Sequence, residues 1–256
     1  LAILVVFGVI IITFFLYRVI PADPAALWAG AKPTPQALAA ARAQLHLNDP
    51  LPVQFGYYID QLLHGDMGAS VRTHNPVLTD IAGSLSATME LITASLILAL
   101  LIGIPLGVTA GIRRGKWPDH LTRFLAVGGV ALPTFWLAVV LQILFSQVVH
   151  VFPISGRYDN ILGIEDPVPT VTGFLTIDSL LAGNLVRFGD AVAHLILPSL
   201  TLALYPIGLV ARMVRTMMVE VLGENYIRTA KAYGLPARVI HYRYALKNAI
   251  GPAIVG

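Results

Sequence analysis

Few side chains in this sequence are spaced to make or break bonds. The seven histidines, at positions 46, 64, 74, 120, 150, 194 and 241, form no i, i+4 pair and so offer no metal-ligating helix face. There is no Gly-x4-Gly-Lys-Ser/Thr phosphate loop, no Gly-x-Ser-x-Gly elbow and no His-Glu-x2-His zinc helix. Cysteine is absent, which removes disulfides, thiolate metal sites and a cysteine nucleophile. No catalytic, cofactor-binding or metal-ligating residues are expected. The chemistry left is mechanical and is concentrated in Tyr226-Ile-Arg-Thr-Ala-Lys-Ala-Tyr-Gly-Leu-Pro236, a basic helix-turn-helix between two apolar segments.

In that stretch Tyr226, Ile227, Ala230 and Tyr233 share one helix face, and Gly234 can take the left-handed conformation that ends a helix. Leu235-Pro236 then starts the next helix, because proline fits the first helical turn. A tight corner is predicted. Thr229 and Ala230 are small enough to let its backbone approach a partner's groove, while Arg228, Lys231, Arg238 and Arg243 can pair with acidic groups around it. The charges alone fit any loop on the positive side of a membrane; the ordered small-residue and glycine spacing is what favours docking. A second candidate set is Glu90, Pro133, Phe135 and Trp136. Glu90 reads either as a carboxylate snorkelling to a membrane interface or as a pathway acid. Pro105 and Pro133 read as static kinks or as gating points, and the two aromatics as packing or as path lining.

The elements that must carry these residues are set by composition. Hydrophobic residues make up 56% of the 256 positions and charged residues 12%, more apolar surface than a soluble fold of this length could bury. A helix needs about 20 apolar residues to cross a bilayer core. Residues 1–20, 91–112, 124–152 and 195–210 meet that test, and a fifth run opens near Ala249. The chain starts without Met and stops as the fifth run begins, so both ends read as incomplete. Leu1 to Ile20 lacks the basic n-region and small-residue cleavage site of a signal peptide and reads as a retained span. The predicted fold class is all-α, a polytopic helix bundle.

The connections assign orientation. Arg113, Arg114, Lys116 and Arg123 follow the second span, and Arg212, Arg215, Arg228, Lys231, Arg238, Arg243 and Lys247 follow the fourth, together eleven of 17 Lys and Arg. The 21–86 and 151–194 connections hold only Lys32, Arg42, Arg72, Arg157 and Arg187 against ten acids, Asp178 and Asp190 among them. By the positive-inside rule residues 211–248 are cytoplasmic and the two acidic connections face outward. The net charge of +3 sits beside membrane spans, so nucleic acid is not an expected partner. Within 21–86, Thr34-Pro35, Val53–His64 and Asn75-Pro76 each signal a short helix, the last an interfacial one ahead of the second span. The 151–194 connection predicts turns and at most short helices. Gly103, Gly107 and Gly111 line one face of the second span, where another helix can come close.

The 226–236 stretch resembles the coupling loop of ABC-importer permeases, the "EAA" loop, in the form used by the dipeptide, oligopeptide and nickel branch. Its frame falls on Arg228, Thr229, Ala230 and Gly234, with Arg228 in the place of the acidic residue of the general motif and Leu246-Lys247 in the place of its closing Leu-Pro. Similar peptide-branch motifs are Arg18-Val-Ile-Pro-Ala-Asp-Pro24, Leu47-Asn-Asp-Pro-Leu-Pro-Val-Gln54, His64-Gly-Asp-Met-Gly68, Ala131-Leu-Pro-Thr-Phe-Trp136 and Leu197-Pro-Ser-Leu-Thr-Leu-Ala203. The resemblance implies a non-catalytic permease in a prokaryotic inner membrane, with six spans when intact. It implies a second homologous permease, two cytoplasmic ATPases that bind ATP and Mg, and an extracytoplasmic binding protein delivering a dipeptide, an oligopeptide or a related solute. Tyr226, Arg228, Thr229, Ala230, Lys231, Gly234 and Leu235 would then be the ATPase-coupling residues. The alternative is an ion-coupled secondary transporter, which usually needs an ionisable group deep in a span; none lies in the second, third or fourth core. An intramembrane enzyme would need a nucleophile-base pair or paired acids, which the spans do not supply.

Overall fold

In the computed structural model the chain is described at residues 1–19, 23–30, 33–70 and 72–255. The expected end of the first span at Ile20, the Ile20-Pro21-Ala22 centre of the motif beginning at Arg18, the charge of Lys32 and the terminal Gly256 lie outside the described residues. The described residues are helical and turn-like, without named strands, as the all-α prediction requires. The chain divides into two compact units, Leu1–Leu85 and Ser86–Gly256.

The first unit contains α1 (Ala2–Val19), α2 (Pro24–Ala29), α3 (Pro35–Gln44) and α4 (Leu51–Leu63). The start of α3 at Thr34-Pro35 is the one the sequence signals, while α2 was not expected and α4 starts at Leu51 without a side-chain cap. The Thr34 hydroxyl caps α3 by accepting from the Ala37 N–H at 3.2 Å, and the Asp23 carboxylate caps α2 by accepting from Ala25 N–H at 3.1 Å. Gly65, at φ +77°, follows the end of α4. Phe14, Phe55 and Tyr58 form the aromatic centre of this unit, with ring centroids 5.1 and 5.6 Å from Phe14.

The second unit is organised by long helices: α5 (Val77–Ile112), which begins in the first unit, then α6 (Trp117–Ala131), α7 (Thr134–Gln142, continued as a π-helix to Val148), α8 (Asn160–Glu165), α9 (Leu175–Leu181) and α10 (Leu185–Val221). The separate interfacial helix expected after Pro76 does not exist. No proline interrupts residues 77–104, so α5 runs unbroken for 36 residues, about 54 Å against a hydrocarbon core of ~30 Å. Pro105 leaves it helical. Pro133 is different: α6 ends at Ala131, and the path turns through 106° into α7. The third apolar run, 124–152, is therefore a bent pair, with the break at the proline where a kink was expected. Among the described residues, α5 and α10 are each long and apolar enough to cross a membrane, and the bent pair makes a third if counted as one span; α1 is apolar but shorter.

Small residues bring these helices together. A Cβ on Gly107 would lie 2.6 Å from the Ala211 carbonyl oxygen and 2.7 Å from Val214 Cβ; at Gly103 and Gly111 the obstacles are Val210 and Met218. The glycine stripe thus packs on α10 of the same chain. On the other side of α10, Gly208 approaches Ala126 and Gly129 approaches Leu204 and Tyr205, which seats α6.

Candidate functional site

The corner predicted at 226–236 consists of α11 (Asn225–Ala232), a turn at Tyr233-Gly234, and α12 (Ala237–Val239), which continues through a π-helical stretch, Ile240–Ala245, into α13 (Leu246–Val255). Gly234 has φ +71° and no atom within 4 Å of where a Cβ would stand, so its glycine is required by backbone conformation rather than by crowding. The Gly234 N–H donates to Lys231 C=O and the Leu235 N–H donates back to Ala230 C=O, closing the helix end. Tyr226 Oη accepts from Asn248 Nδ2 at 3.0 Å, pinning α11 to α13.

Two sides of this corner differ. Ile227 and Ala230 are buried with Val108 of α5, Val214 and Met218 of α10, and Ile240, Ala245 and Ala249, while Leu235 packs against the edge of that cluster. Arg228, Thr229, Lys231 and Gly234 are exposed, as is Tyr233, at 82%. The expectation that Ala230 would meet a partner is thus corrected: its small size serves close packing inside this chain, and Thr229 is the small residue on the open side. Tyr233 belongs to that open side too, although the periodicity grouped it with Ile227 and Ala230. Burial first, and the positive charge of Lys231 second, push the His241 imidazole below its ordinary range, so it is neutral near pH 7.

Sequence reasoning missed the residue that anchors the corner's support. Asp119, in the first turn of α6, has no exposed surface. Its carboxylate accepts from Gly115 N–H at 2.9 Å, from Arg215 through Nε and, at 3.0 Å, Nη2, and from Arg123 Nε and Nη2 at 3.3 Å each. Arg123 and Arg215 had been counted only as loop charge. The signal available was the i, i+4 spacing of Asp119 and Arg123 directly after Pro118.

Glu90 is also reassigned. It is 5% exposed and does not snorkel: Oε1 accepts from Thr176 N–H at 2.8 Å and Thr176 Oγ1 at 2.6 Å, and Oε2 accepts from Arg157 Nη2 at 2.7 Å. Arg157 also donates to the Gly173 carbonyl, and Gly173, at φ +80°, lies so close to Ser86 that a Cβ would stand 2.8 Å from the serine Cβ. Both carboxylate oxygens are therefore committed to holding the 151–194 connection on α5. Asp178 does the same locally. It accepts from the N–H groups of Val171, Thr172 and Gly173; burial alone would raise its pKa, and these donors hold it below the usual carboxylate range. Replacing Glu90 with alanine leaves Arg157 and Thr176 without their acceptor, a loss of roughly 1–3 kcal/mol. The expected result is faster proteolytic cleavage within residues 157–174 at unchanged cleavage elsewhere. Phe135 and Trp136, 74% and 49% exposed, project from the start of α7 just after the Pro133 bend.

Apolar helices longer than a bilayer is thick, packed through glycines and leading into a basic corner, mark a polytopic membrane protein. The family described as "Binding-protein-dependent transport system inner membrane component" matches residues 103–256, and its N-terminal counterpart matches 1–100. The chain is 47% identical over 252 residues to the probable D,D-dipeptide transport system permease protein of Escherichia coli (strain K12), covering 98% of this chain and 73% of that protein. It is 39% identical over 250 residues to a dipeptide transport system permease of Alkalihalophilus pseudofirmus, 98% of this chain and 74% of that one. To a glutathione transport system permease of Salmonella typhimurium it is 34% identical over 246 residues, 96% and 70%. The chain belongs to the binding-protein-dependent transport system inner membrane component family. It is a non-catalytic permease subunit of an ABC importer, resident in an inner membrane.

Proposed function

We propose that this subunit forms half of the path by which a binding protein's cargo, a dipeptide or short oligopeptide, crosses the inner membrane, and that the Gly234 corner is where ATPase subunits grip it. The observation that carries the reading is the division of the corner into a buried side continuous with α5 and α10 and an open side bearing Arg228, Thr229, Lys231 and Tyr233. The names of the relatives support the peptide class. A second homologous permease completes the path. Two cytoplasmic ATPases bind ATP and Mg, and an extracytoplasmic binding protein docks on the 21–86 and 151–194 connections, opposite the basic corner. Glu90 shapes that outer surface without touching cargo, and Pro133, with Phe135 and Trp136 beyond it, lies at the gate where the path bends.

Turning a 1:99 ratio of conformers into 99:1 takes about 5.5 kcal/mol of differential binding. Exposed ion pairs contribute up to ~1 kcal/mol each, so a shaped helix seated in a groove is the effective lever and the arginines guide it there. The test is the intact complex in proteoliposomes with its binding protein. Dipeptides are expected to stimulate ATP hydrolysis and to accumulate inside. Stimulation by a sugar or a free metal ion with none by peptides removes the substrate assignment, and uptake that survives deletion of the ATPases removes the mechanism.

A further inference from the structure

Asp119 is fully buried, with its carboxylate paired to Arg215. The seat of α6 on α10 is already made by Gly208 against Ala126 and by Gly129 against Leu204 and Tyr205, contacts that need no charge. A buried ion pair adds little to such packing, because the desolvation of both partners offsets their attraction, but it fixes direction and register. The bidentate fork of Arg215 does this here: Nε and Nη2 meet the two Asp119 oxygens separately, so the carboxylate cannot rotate without losing one of them. The Gly115 N–H on Oδ2 locks the turn before α6 into the same unit.

The position of Arg215 matters equally. Its neighbour Val214, and Met218 one turn on, lie in the cluster that holds Ile227 and Ala230 of α11. One turn of α10 therefore carries the corner on one side and holds the start of α6 on another. At the far end of α6 lies the 106° bend at Leu132-Pro133. A displacement of the corner moves Val214 and Met218, and Arg215 passes it to Asp119 and so to the helix that leads into the bend.

We propose that Asp119, gripped by Arg215, is the positioning residue that transmits movement of the Gly234 corner to the bent α6–α7 pair. This rests on the reading of the corner as the ATPase contact. Asp119 touches neither cargo nor nucleotide; it sets how far α6 follows α10.

The test uses the reconstituted importer with all its subunits and measures peptide uptake and ATP hydrolysis separately, so that uptake per ATP is the readout. Asp119→Asn keeps the size of the side chain and abolishes the charge, and Arg215→Lys keeps the charge and abolishes the fork. Both are expected to lower uptake per ATP about fivefold to tenfold while the complex assembles and hydrolyses ATP. Asp119→Glu is expected to recover part of the ratio. Arg123→Gln, which removes only the outer partner of Asp119, is expected to leave it near wild type. Equal loss of uptake and hydrolysis, an unchanged ratio, or failure of both variants to assemble overturns the proposal, the last by making the pair a folding support only. A Tyr233→Ala control separates the two readings. If it uncouples and Asp119→Asn does not, only the transmission role falls; if neither uncouples, the corner assignment falls as well.

Discussion

Gly107→Leu is expected to eliminate most of the folded protein from the membrane, and Gly107→Ala to lower its thermal midpoint measurably. The cause is steric. A Cβ at position 107 would stand 2.6 Å from a backbone oxygen, that of Ala211, which no side-chain rotation can move, and 2.7 Å from Val214 Cβ. Overpacking of a tight core costs about 1–3 kcal/mol, and more where backbone is the obstacle. Lipid offers no hydrophobic gain to compensate, because helix association in a membrane depends on close van der Waals packing. Val214 also belongs to the cluster under α11, so the same substitution spreads the α5–α10 contact that supports the corner. Gly128→Ala is the matched control: it too lies in a helix, but its new Cβ meets nothing within 4 Å. Size-exclusion profiles of tagged protein and its thermal aggregation midpoint measure both. Equal behaviour of the 107 and 128 variants would show that the glycine stripe does not set helix approach.

The same glycines mark what a sequence can disclose about such a chain. Spacing of four at 103, 107 and 111 announces a face where a helix comes close, but not which helix, since that depends on how the whole chain folds back. Apolar runs located the membrane-facing cores of α5 and α10 but not their ends, because hydropathy senses the lipid slab while the helix continues into water. Capping chemistry at Thr34 and the left-handed Gly234 were legible because they are local. Asp119 and Glu90 were not. Asp119, between loop arginines, looks like ordinary surface charge, and Glu90 like an interfacial or pathway acid, until the fold places Arg215, 96 positions away, against the first and Thr176 against the second. The size of Ala230 was read as room for a partner for a related reason: small size admits a partner and admits the chain's own core equally well.

That reassignment turns one substitution series at the corner into a discriminating pair. Ala230→Leu forces a larger side chain into the cluster of Val214, Met218 and Ile227, so its expected effect is loss of folded protein, not uncoupling. Tyr233→Ala is the opposite case. Tyr233 is 82% exposed and lies outside the chain's own core cluster, so the variant is expected to fold and insert normally. Buried aromatic anchors at interface hot spots contribute about 2 kcal/mol or more, so removing one is expected to lower uptake by roughly tenfold or more at an unchanged amount of protein in the membrane. Gly234→Val belongs with it. The new side chain meets no atom, but a β-branched residue at φ +71° strains the backbone by roughly 1–3 kcal/mol, and the turn relaxes by re-aiming Tyr233. Peptide uptake in membrane vesicles, normalised to permease content, distinguishes the classes. Wild-type uptake in both Tyr233→Ala and Gly234→Val would mean that the open side of the corner carries no force. The lever would then have to be sought along the exposed basic residues of Ala237–Ala245 instead.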